Sequence, residues 1–147
     1  MDEAQRIIAE LDLMPHPEGG WFRETWRAAG TSPEERDAAT AILFLLEEGQ
    51  KSHWHRVDAA EMWLFHAGSP ILLRIASNEG AEPLTISLGG DVLAGQRPQH
   101  LVQPGEWQAA EAREGWALVA CVVVPGFSFD GFELAPPDWA PGFKALR

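Results

Sequence analysis

Cysteine and long apolar runs are almost missing from this sequence. The single cysteine, Cys121, cannot form a disulfide within the chain, so a reducing compartment such as the cytoplasm is the simplest expectation. No apolar run reaches the roughly 20 residues that a membrane-spanning helix needs. The acidic start, Met1-Asp2-Glu3, lacks the basic segment that opens a secretory signal. We therefore expect a cytoplasmic protein with no membrane partner.

Basic residues and tyrosine are also scarce. With 11 Lys and Arg against 22 Asp and Glu, the formal net charge is −11. Such a field repels phosphate backbones, which argues against a nucleic-acid partner. Seven tryptophans contrast with no tyrosine at all. The lack of tyrosine removes one side chain that enzymes use as a general acid.

Length and turn content predict a single all-β domain over residues 1–147. A chain of 147 residues is long enough to bury a core without disulfides. Asp2 is positioned to cap one short helix that runs through about Leu11. The 14 Gly and 11 Pro then separate eight or more short strands, a pattern typical of a sandwich or barrel. A jelly roll, or double-stranded β-helix, would enclose a cavity between its sheets.

Several predicted strands, such as 40–46, are apolar on both faces. A sheet of this kind packs against a second sheet on one side and against something else on the other. A partner subunit is a candidate for the group that packs against this other face of the sheet. In the proline-rich tail, Trp139 and Phe143 are expected to anchor the chain onto the domain surface.

The candidate site centres on the stretch Gly49-Gln50-Lys51-Ser52-His53-Trp54-His55. His53 and His55 are two residues apart, so on a strand they leave the same face. Glu61 opens the next apolar run, and it faces the same cavity if the two runs pair as a hairpin. Two imidazoles and a carboxylate in this arrangement suit a divalent transition metal. The alternative is a polar cluster bonded to a ligand, to water or within itself.

Other residues are candidates for contact with a ligand. Arg23 either clamps a carboxylate or phosphate at the cavity mouth or forms an ion pair in an interface. Trp63 and Trp107 serve either as core residues or as a stacking wall. His16, held between two prolines, either lines the pocket or orients the loop that carries Glu18.

The central stretch resembles the first motif of the cupin superfamily, G-x5-H-x-H-x3,4-E-x6-G. The motif residues occur in order as Gly49, His53, His55, Glu61 and Gly68. The gap from Gly49 to His53 is two residues shorter than in the motif, and the gap from His55 to Glu61 is one or two longer. The resemblance implies a jelly-roll barrel with a site inside it.

The second cupin motif, G-x5-P-x-G-x2-H-x3-N, is degenerate. The segment Gly105-Glu106-Trp107-Gln108 matches its G-x2-H, with Gln108 in place of the histidine. The resemblance therefore implies His53, His55, Glu61 and Gln108 as metal ligands. Two histidines, one carboxylate and open positions suit Fe(II), Mn(II), Ni(II) or loosely held Zn. Gln108 is alternatively a hydrogen-bond partner for a ligand.

Both ends of the chain are similar to one branch, the Cupin_5 group. The matching segments are 16–20 with Arg23 near the start, and 126–129 with 132–134 near the end. This branch implies a barrel that usually dimerises, and a fold shared with nucleotide-sugar 3,5-epimerases. The family has no well-established reaction.

Three functional classes follow for a small polar molecule bound in the cavity. The first is a metal-dependent enzyme in which His53, His55 and Glu61 are catalytic. The second is a metal-free acid–base enzyme of the epimerase or isomerase kind, although such epimerases pair a histidine base with a tyrosine that this chain lacks. The third is a binding or sensing module. In each class Glu18, Arg23, Trp63, Trp107 and Gln108 are the predicted ligand contacts.

Overall fold

The computed structural model describes residues 1–142 as one α-helix and eleven strands, in line with the all-β prediction. No helix within these residues is long and apolar enough to cross a membrane. The predicted anchor Phe143 lies outside them. The elements are α1 Glu3–Glu10, β1 Met14–Pro15, β2 Trp21–Ala28, β3 Ala39–Leu46, β4 Lys51–Val57, β5 Ala60–Gly68, β6 Ile71–Ala76, β7 Leu84–Leu88, β8 Gln99–Val102, β9 Trp107–Glu111, β10 Ala117–Val124 and β11 Phe132–Leu134, with 3-10 turns at Val92–Ala94 and Phe129–Gly131.

The predicted N-terminal helix is confirmed, including its cap. The Asp2 side chain accepts from the Gln5 amide, and the Gln5 side chain accepts from the Asp2 amide, which forms a capping box. The apolar side of α1, with Ile7 and Ile8, packs near Leu45 on the outer face of one sheet. Burial of this stripe holds the short helix on the domain.

Two antiparallel sheets form the jelly roll that the sequence predicts. The larger sheet has the order β1-β2-β3-β10-β5-β8, and the smaller has the order β11-β4-β9-β6-β7. Side chains from both inner faces share one core, in which Phe44 and Val119 of the larger sheet meet Leu73 and Ala110 of the smaller. The main cavity lies against the inner face of the larger sheet, beside residues of β2, β3, β5 and β10.

The hairpin between β4 and β5, on which the convergence of Glu61 and the histidines was conditional, does not form. Strand β4 pairs with β9 and β11, whereas β5 pairs with β10 and β8 in the other sheet. The chain crosses from one sheet to the other at Asp58 and Ala59. His55 and Glu61 therefore enter the interior from opposite sheets rather than from neighbouring strands.

Candidate functional site

The prediction that His53 and His55 leave the same face is also wrong. The ladder between β4 and β9 shifts between Ser52 and His55, because the His53 amide donates to the Glu18 carbonyl at 2.8 Å. This irregularity turns Ser52 and His55 inward, and both are buried. His53 lies on the outer side, where its Nε2 donates to the Pro136 carbonyl at 2.8 Å.

His55 and Glu18 form the buried centre of the site. His55 Nδ1 lies 2.8 Å from the His53 carbonyl, which only accepts, so Nδ1 carries the hydrogen and Nε2 has a lone pair. That Nε2 lies 3.2 Å from Glu18 Oε2, and Glu18 Oε1 accepts from Ser52 Oγ at 2.9 Å. A lone pair and a carboxylate oxygen at this distance repel unless a proton lies between them. The pair therefore holds one shared proton.

Burial explains where that proton resides. Loss of solvation raises the pKa of Glu18 to about 8, although the Ser52 hydrogen bond opposes the change. Burial also lowers the pKa of His55. Both groups are consequently neutral at pH 7, with the Glu18 carboxyl donating to His55.

His16 reaches the same region from the turn between β1 and β2. Its Nδ1 accepts from the Glu18 amide at 3.1 Å, so in the neutral ring Nε2 carries the hydrogen. Phe22 and Phe44 pack edge-on to the ring at centroid distances of 4.6 and 5.8 Å. Burial lowers the pKa of His16 to about 4, which keeps the imidazole neutral. Both roles that the sequence left open, lining the cavity and orienting the Glu18 loop, are present.

A glycine allows that turn to approach β4. Gly19 has φ +108°, and a Cβ there would lie 2.1 Å from the Lys51 carbonyl oxygen. A side chain at this position would meet backbone that cannot move aside. The glycine thus permits the contact that places His16 and Glu18 beside His55.

Glu61 faces the cavity from β5 and is oriented by an amide. Gln108 Nε2 donates to Glu61 Oε1 at 2.9 Å, and Gln108 Oε1 accepts from Trp63 Nε1 at 2.7 Å. The indole nitrogen is only a donor, so it fixes which end of the Gln108 amide faces Glu61. Burial raises the pKa of Glu61 and raises that of the neighbouring Cys121 thiol well above its usual range. The carboxyl is thus held in place and made a weaker acid.

Replacing Trp63 by Phe tests this orientation. The change leaves the buried Gln108 oxygen without its donor, so we expect the free energy of unfolding to fall by about 2 kcal/mol or more. Urea denaturation measures the effect, and Leu93→Ala is the control because the Leu93 side chain is fully exposed. Equal, small losses in both variants would contradict the role assigned to the Trp63 indole.

A cavity of about 560 Å³ opens onto this cluster. His16 and Glu61 contribute to its lining at the inner end. Its remaining walls come from β2, β3, the loop before β3, the end of β10 and the segment that follows β10. The lining residues are His16, Phe22, Glu24, Arg27, Pro33, Glu35, Arg36, Asp37, Thr40, Ile42, Glu61, Val123, Phe127, Ser128 and Phe129.

Three predicted ligand contacts lie elsewhere. Arg23 is exposed on the outer face of β2, because its neighbours Phe22 and Glu24 line the cavity from the opposite face. Trp63 is a core residue with 1% exposure, and it contacts the site through Gln108 and through Phe44, which packs against His16. Trp107 packs on Trp139 outside the smaller sheet, with the ring centroids 4.5 Å apart.

Sequence reasoning missed the residues that shape the cavity mouth. Arg27 and the aromatic pair Phe127 and Phe129 line it, and Ser52 supports Glu18 from within. The alternation of β2 carried a signal for Arg27, because it points the same way as Glu24 once the ladder shift between Glu24 and Trp26 is included. The contacts of Phe127, Phe129 and Ser52 join segments far apart in the chain, so no local sequence pattern predicts them.

The predicted metal ligands do not come together in this geometry. His53 points away from the cavity, and Gln108 turns its amino group, which has no lone pair to offer, toward Glu61. Within residues 1–142, no group of three or more His, Cys, Asp or Glu side chains is arranged to hold a metal ion. Of the four predicted ligands, only His55 and Glu61 remain available, so the set does not fit a divalent metal.

Solved structures with this fold include close and distant relatives. A crystal structure of a protein from Shewanella oneidensis is 39% identical, with a TM-score of 0.85 over 99% of this chain and 89% of that one. A hypothetical protein from Leishmania major is 30% identical, with a TM-score of 0.82 over 91% and 88%. Oxalate decarboxylase from Bacillus subtilis, an enzyme with Mn(II) centres, is 16% identical, with a TM-score of 0.62 over 84% of this chain and 30% of its own. This last likeness is one of fold alone.

Family membership rests on the sequence itself. No curated protein matches the chain. The family model described as "Cupin superfamily (DUF985)" matches residues 5–135, which include most of the helix, both sheets and every residue of the buried cluster. The chain therefore belongs to the Cupin_5 (DUF985) family of the cupin superfamily.

Proposed function

We propose that the cavity binds a small polar carbonyl compound and that His16 and Glu61 move a proton on it without a metal. The observation that carries the proposal is that these two groups line one cavity in complementary states. His16 is a neutral imidazole with an N–H to donate, and Glu61 is a buried carboxyl with a raised pKa. Two titratable groups whose pKa values are shifted by burial and that line the same cavity are typical of acid–base sites.

His16 acts in this proposal as the group that polarises the substrate. The Glu18 amide donates to Nδ1, so the neutral ring presents Nε2–H to the cavity. Because Nε2 already carries a hydrogen, His16 acts there as a hydrogen-bond donor and not as a base. A neutral imidazole that donates to a carbonyl oxygen stabilises the negative charge that develops when a neighbouring C–H is broken.

Glu61 acts as the base. Its carboxylate takes the proton from the carbon next to the carbonyl, the C–H electron pair forms a C=C bond, and the oxygen becomes an enolate bound to His16. In an α-hydroxycarbonyl compound, Glu61 returns the proton to the former carbonyl carbon while the hydroxyl proton moves to the enolate oxygen, which completes an isomerisation. Return of a solvent-derived proton to the original carbon restores the substrate and appears as exchange. Burial raises the pKa of Glu61, which makes its carboxylate a stronger base.

Solvent exchange tests the proposal directly. Wild-type protein is incubated in D2O with small hydroxyketones, aldoses and keto acids, and the α-proton signals are followed by NMR. We expect loss of the α-proton of at least one compound at a rate proportional to protein concentration. Compounds that raise the melting temperature without any exchange would instead favour a binding or sensing module.

A metal-dependent enzyme is the second candidate, because buried His55 and Glu61 face the interior from opposite sheets. Fe, Mn, Ni or Zn held by these two side chains would need further ligands from the substrate or from water. Elemental analysis of untagged protein purified without chelator separates the candidates. We expect well under one metal per chain. Stoichiometric metal that His55→Ala removes and His53→Ala retains would favour the metalloenzyme.

A homodimer completes the proposal, and the outer face of the larger sheet supports it. The ladder pairs place one apolar row across five strands, consisting of Leu101, Met62, Val122, Ala41 and Trp26. Leu101 is 40% exposed and Trp26 is 54% exposed. A continuous apolar row on a free sheet face is typical of an interface with a second subunit.

Val122→Lys tests this interface. A charge in the middle of the row must be desolvated when two copies pack together, so we expect the dimer to dissociate to monomer. Light scattering after size exclusion gives the mass, and Leu93→Lys is the control on a fully exposed side chain away from the row. A monomeric wild type, or a dimer that Val122→Lys leaves intact, would contradict the proposed interface.

A further inference from the structure

Carboxylates outnumber cations around the mouth of the cavity. Glu24, Glu35 and Asp37 line it beside Arg27 and Arg36. A fourth carboxylate, that of Asp58, is bound to one of these guanidinium groups. The chain as a whole carries a net charge of −11, so the wider field has the same sign. The excess of carboxylates at the mouth and the net negative charge of the chain both attract positive ligands and repel negative ones.

Neither guanidinium group is free to bind an anion. Arg27 donates to both Glu24 oxygens at 2.8 Å and to Asp37 at 2.7 Å. Arg36 donates to both Asp58 oxygens at 2.8 and 3.0 Å and to the Gly126 carbonyl at 2.6 Å. A substrate carboxylate or phosphate would have to break these bidentate pairs, which are the strong form of the interaction.

Glu35 differs from Glu24 and Asp37 in its hydrogen-bond partners. Its carboxylate accepts from the Thr31 amide and hydroxyl, and no Lys or Arg within residues 1–142 pairs with it. The side chain is exposed at the rim of the cavity. It therefore leaves one negative charge at the entrance without a cation beside it.

Aromatic rings line the same cavity as these carboxylates. Phe127 and Phe129 have centroids 4.9 Å apart and planes at 87°, so the two rings form a corner, and Phe22 lines the cavity as well. Phe129 is 59% exposed despite its size. Aromatic faces next to carboxylates are the arrangement that binds ammonium groups.

An independent feature of the cavity also points to a ligand. The His16 side chain is only 7% exposed, yet its Nε2–H has no hydrogen-bond partner within residues 1–142 and faces the cavity. Among the described residues the buried side-chain polar atom without a partner is Trp107 Nε1, so the His16 N–H is accessible through the cavity, where it can donate to an acceptor group of a ligand. The cavity thus has a polar inner end and a mouth in which carboxylates outnumber cations.

We infer that the ligand of this cavity carries a positively charged nitrogen, which lies between the Phe127–Phe129 corner and the carboxylates of the mouth. The inference rests on the proposed function only in taking this cavity as the substrate site. Combined with that function, it makes the substrate class an amine-bearing carbonyl compound. It predicts that keto acids and nucleotide sugars, which are anions, bind more weakly than amine-bearing carbonyl compounds and exchange their protons more slowly.

Three probes of one shape and different charge test the inference. Choline, its uncharged analogue with carbon in place of nitrogen, and the anion tert-butylacetate are titrated into isotope-labelled wild-type protein and followed by NMR. We expect choline to bind about tenfold tighter than the uncharged analogue, with shifts at Phe127 and Phe129, and the anion to bind most weakly. Equal binding of choline and its analogue, tighter binding of the anion, or no binding of choline would overturn the inference.

Matched variants locate the selectivity. Phe129→Leu and Glu35→Gln should each reduce the preference for choline severalfold, whereas Leu93→Ala and Glu34→Gln should not change it.

The titration is repeated with Glu61→Gln, in which the mouth is intact. If the wild type selects choline but exchanges no proton on any compound, the proposed function is refuted and this inference is retained. Exchange of an uncharged compound without choline selectivity would do the reverse.

Discussion

Replacing Glu18 by Gln is expected to make the protein more stable at alkaline pH. Burial raises the pKa of Glu18 from 4.5 to about 8, so its contribution to folding is fully present below pH 4.5 and is lost as the pH rises through 8. The loss in the wild type is on the order of 4 kcal/mol across this window. Glutamine copies the protonated carboxyl, because its oxygen can accept from Ser52 while its amino group donates to His55.

The measurement is the free energy of unfolding of both proteins in urea at pH 5 and pH 9. Comparison with the wild type cancels the titration of His16 and His55, whose lowered pKa values act in the opposite sense as the pH falls. Glu114→Gln, on an exposed side chain, is the control and should leave the pH dependence unchanged. A Glu18→Gln protein less stable than the wild type at pH 9 would mean that Glu18 is ionised and paired with a charged His55.

Replacing Glu61 by Gln is expected to abolish proton exchange on the substrate. The amide has the size of the protonated carboxyl and still faces Gln108, but it cannot take a proton from carbon. Removal of a general base costs about a thousandfold in rate. Exchange of the α-proton in D2O measures the effect, with Glu106→Gln as a control that lies outside the cavity.

Folding must be separated from chemistry in this variant. Burial already favours the neutral form of Glu61, so the uncharged glutamine should not lower the melting temperature by more than a few degrees. A variant that keeps both its melting temperature and its exchange rate would remove Glu61 from the reaction and leave the proposed mechanism without a base.

The strands were predictable because their signals are local. Alternation in 84–88, the long apolar run 117–124 and the capping residue Asp2 each specify an element from a few neighbouring side chains. The apolar pattern on both faces of 40–46 also indicated a sandwich correctly. Pairing between strands was harder, because β4 and β5 are neighbours in sequence and a hairpin is the usual connection.

The site was only partly predictable, for a reason that one hydrogen bond illustrates. His53 and His55 share a face on any regular strand, and the sequence contains no sign of the irregularity between them. The bond from the His53 amide to the Glu18 carbonyl, which joins residues 35 positions apart, turns His53 outward. His55, Glu61, Glu18 and Gln108 do meet in the interior, but through contacts that arise from the two sheets closing on each other.

The histidine tautomers test the central claim most directly. Nitrogen-15 NMR of selectively labelled protein at pH 7 distinguishes the two neutral forms of imidazole from each other and from imidazolium. We predict opposite neutral tautomers, with the hydrogen on Nε2 in His16 and on Nδ1 in His55, and loss of the His16 assignment alone in His16→Gln. A His16 with its hydrogen on Nδ1 would contradict the account, because the cavity would then lack the donor that polarises the substrate. A charged His55 would contradict it as well, because His55 and Glu18 would then be an ion pair rather than two neutral groups.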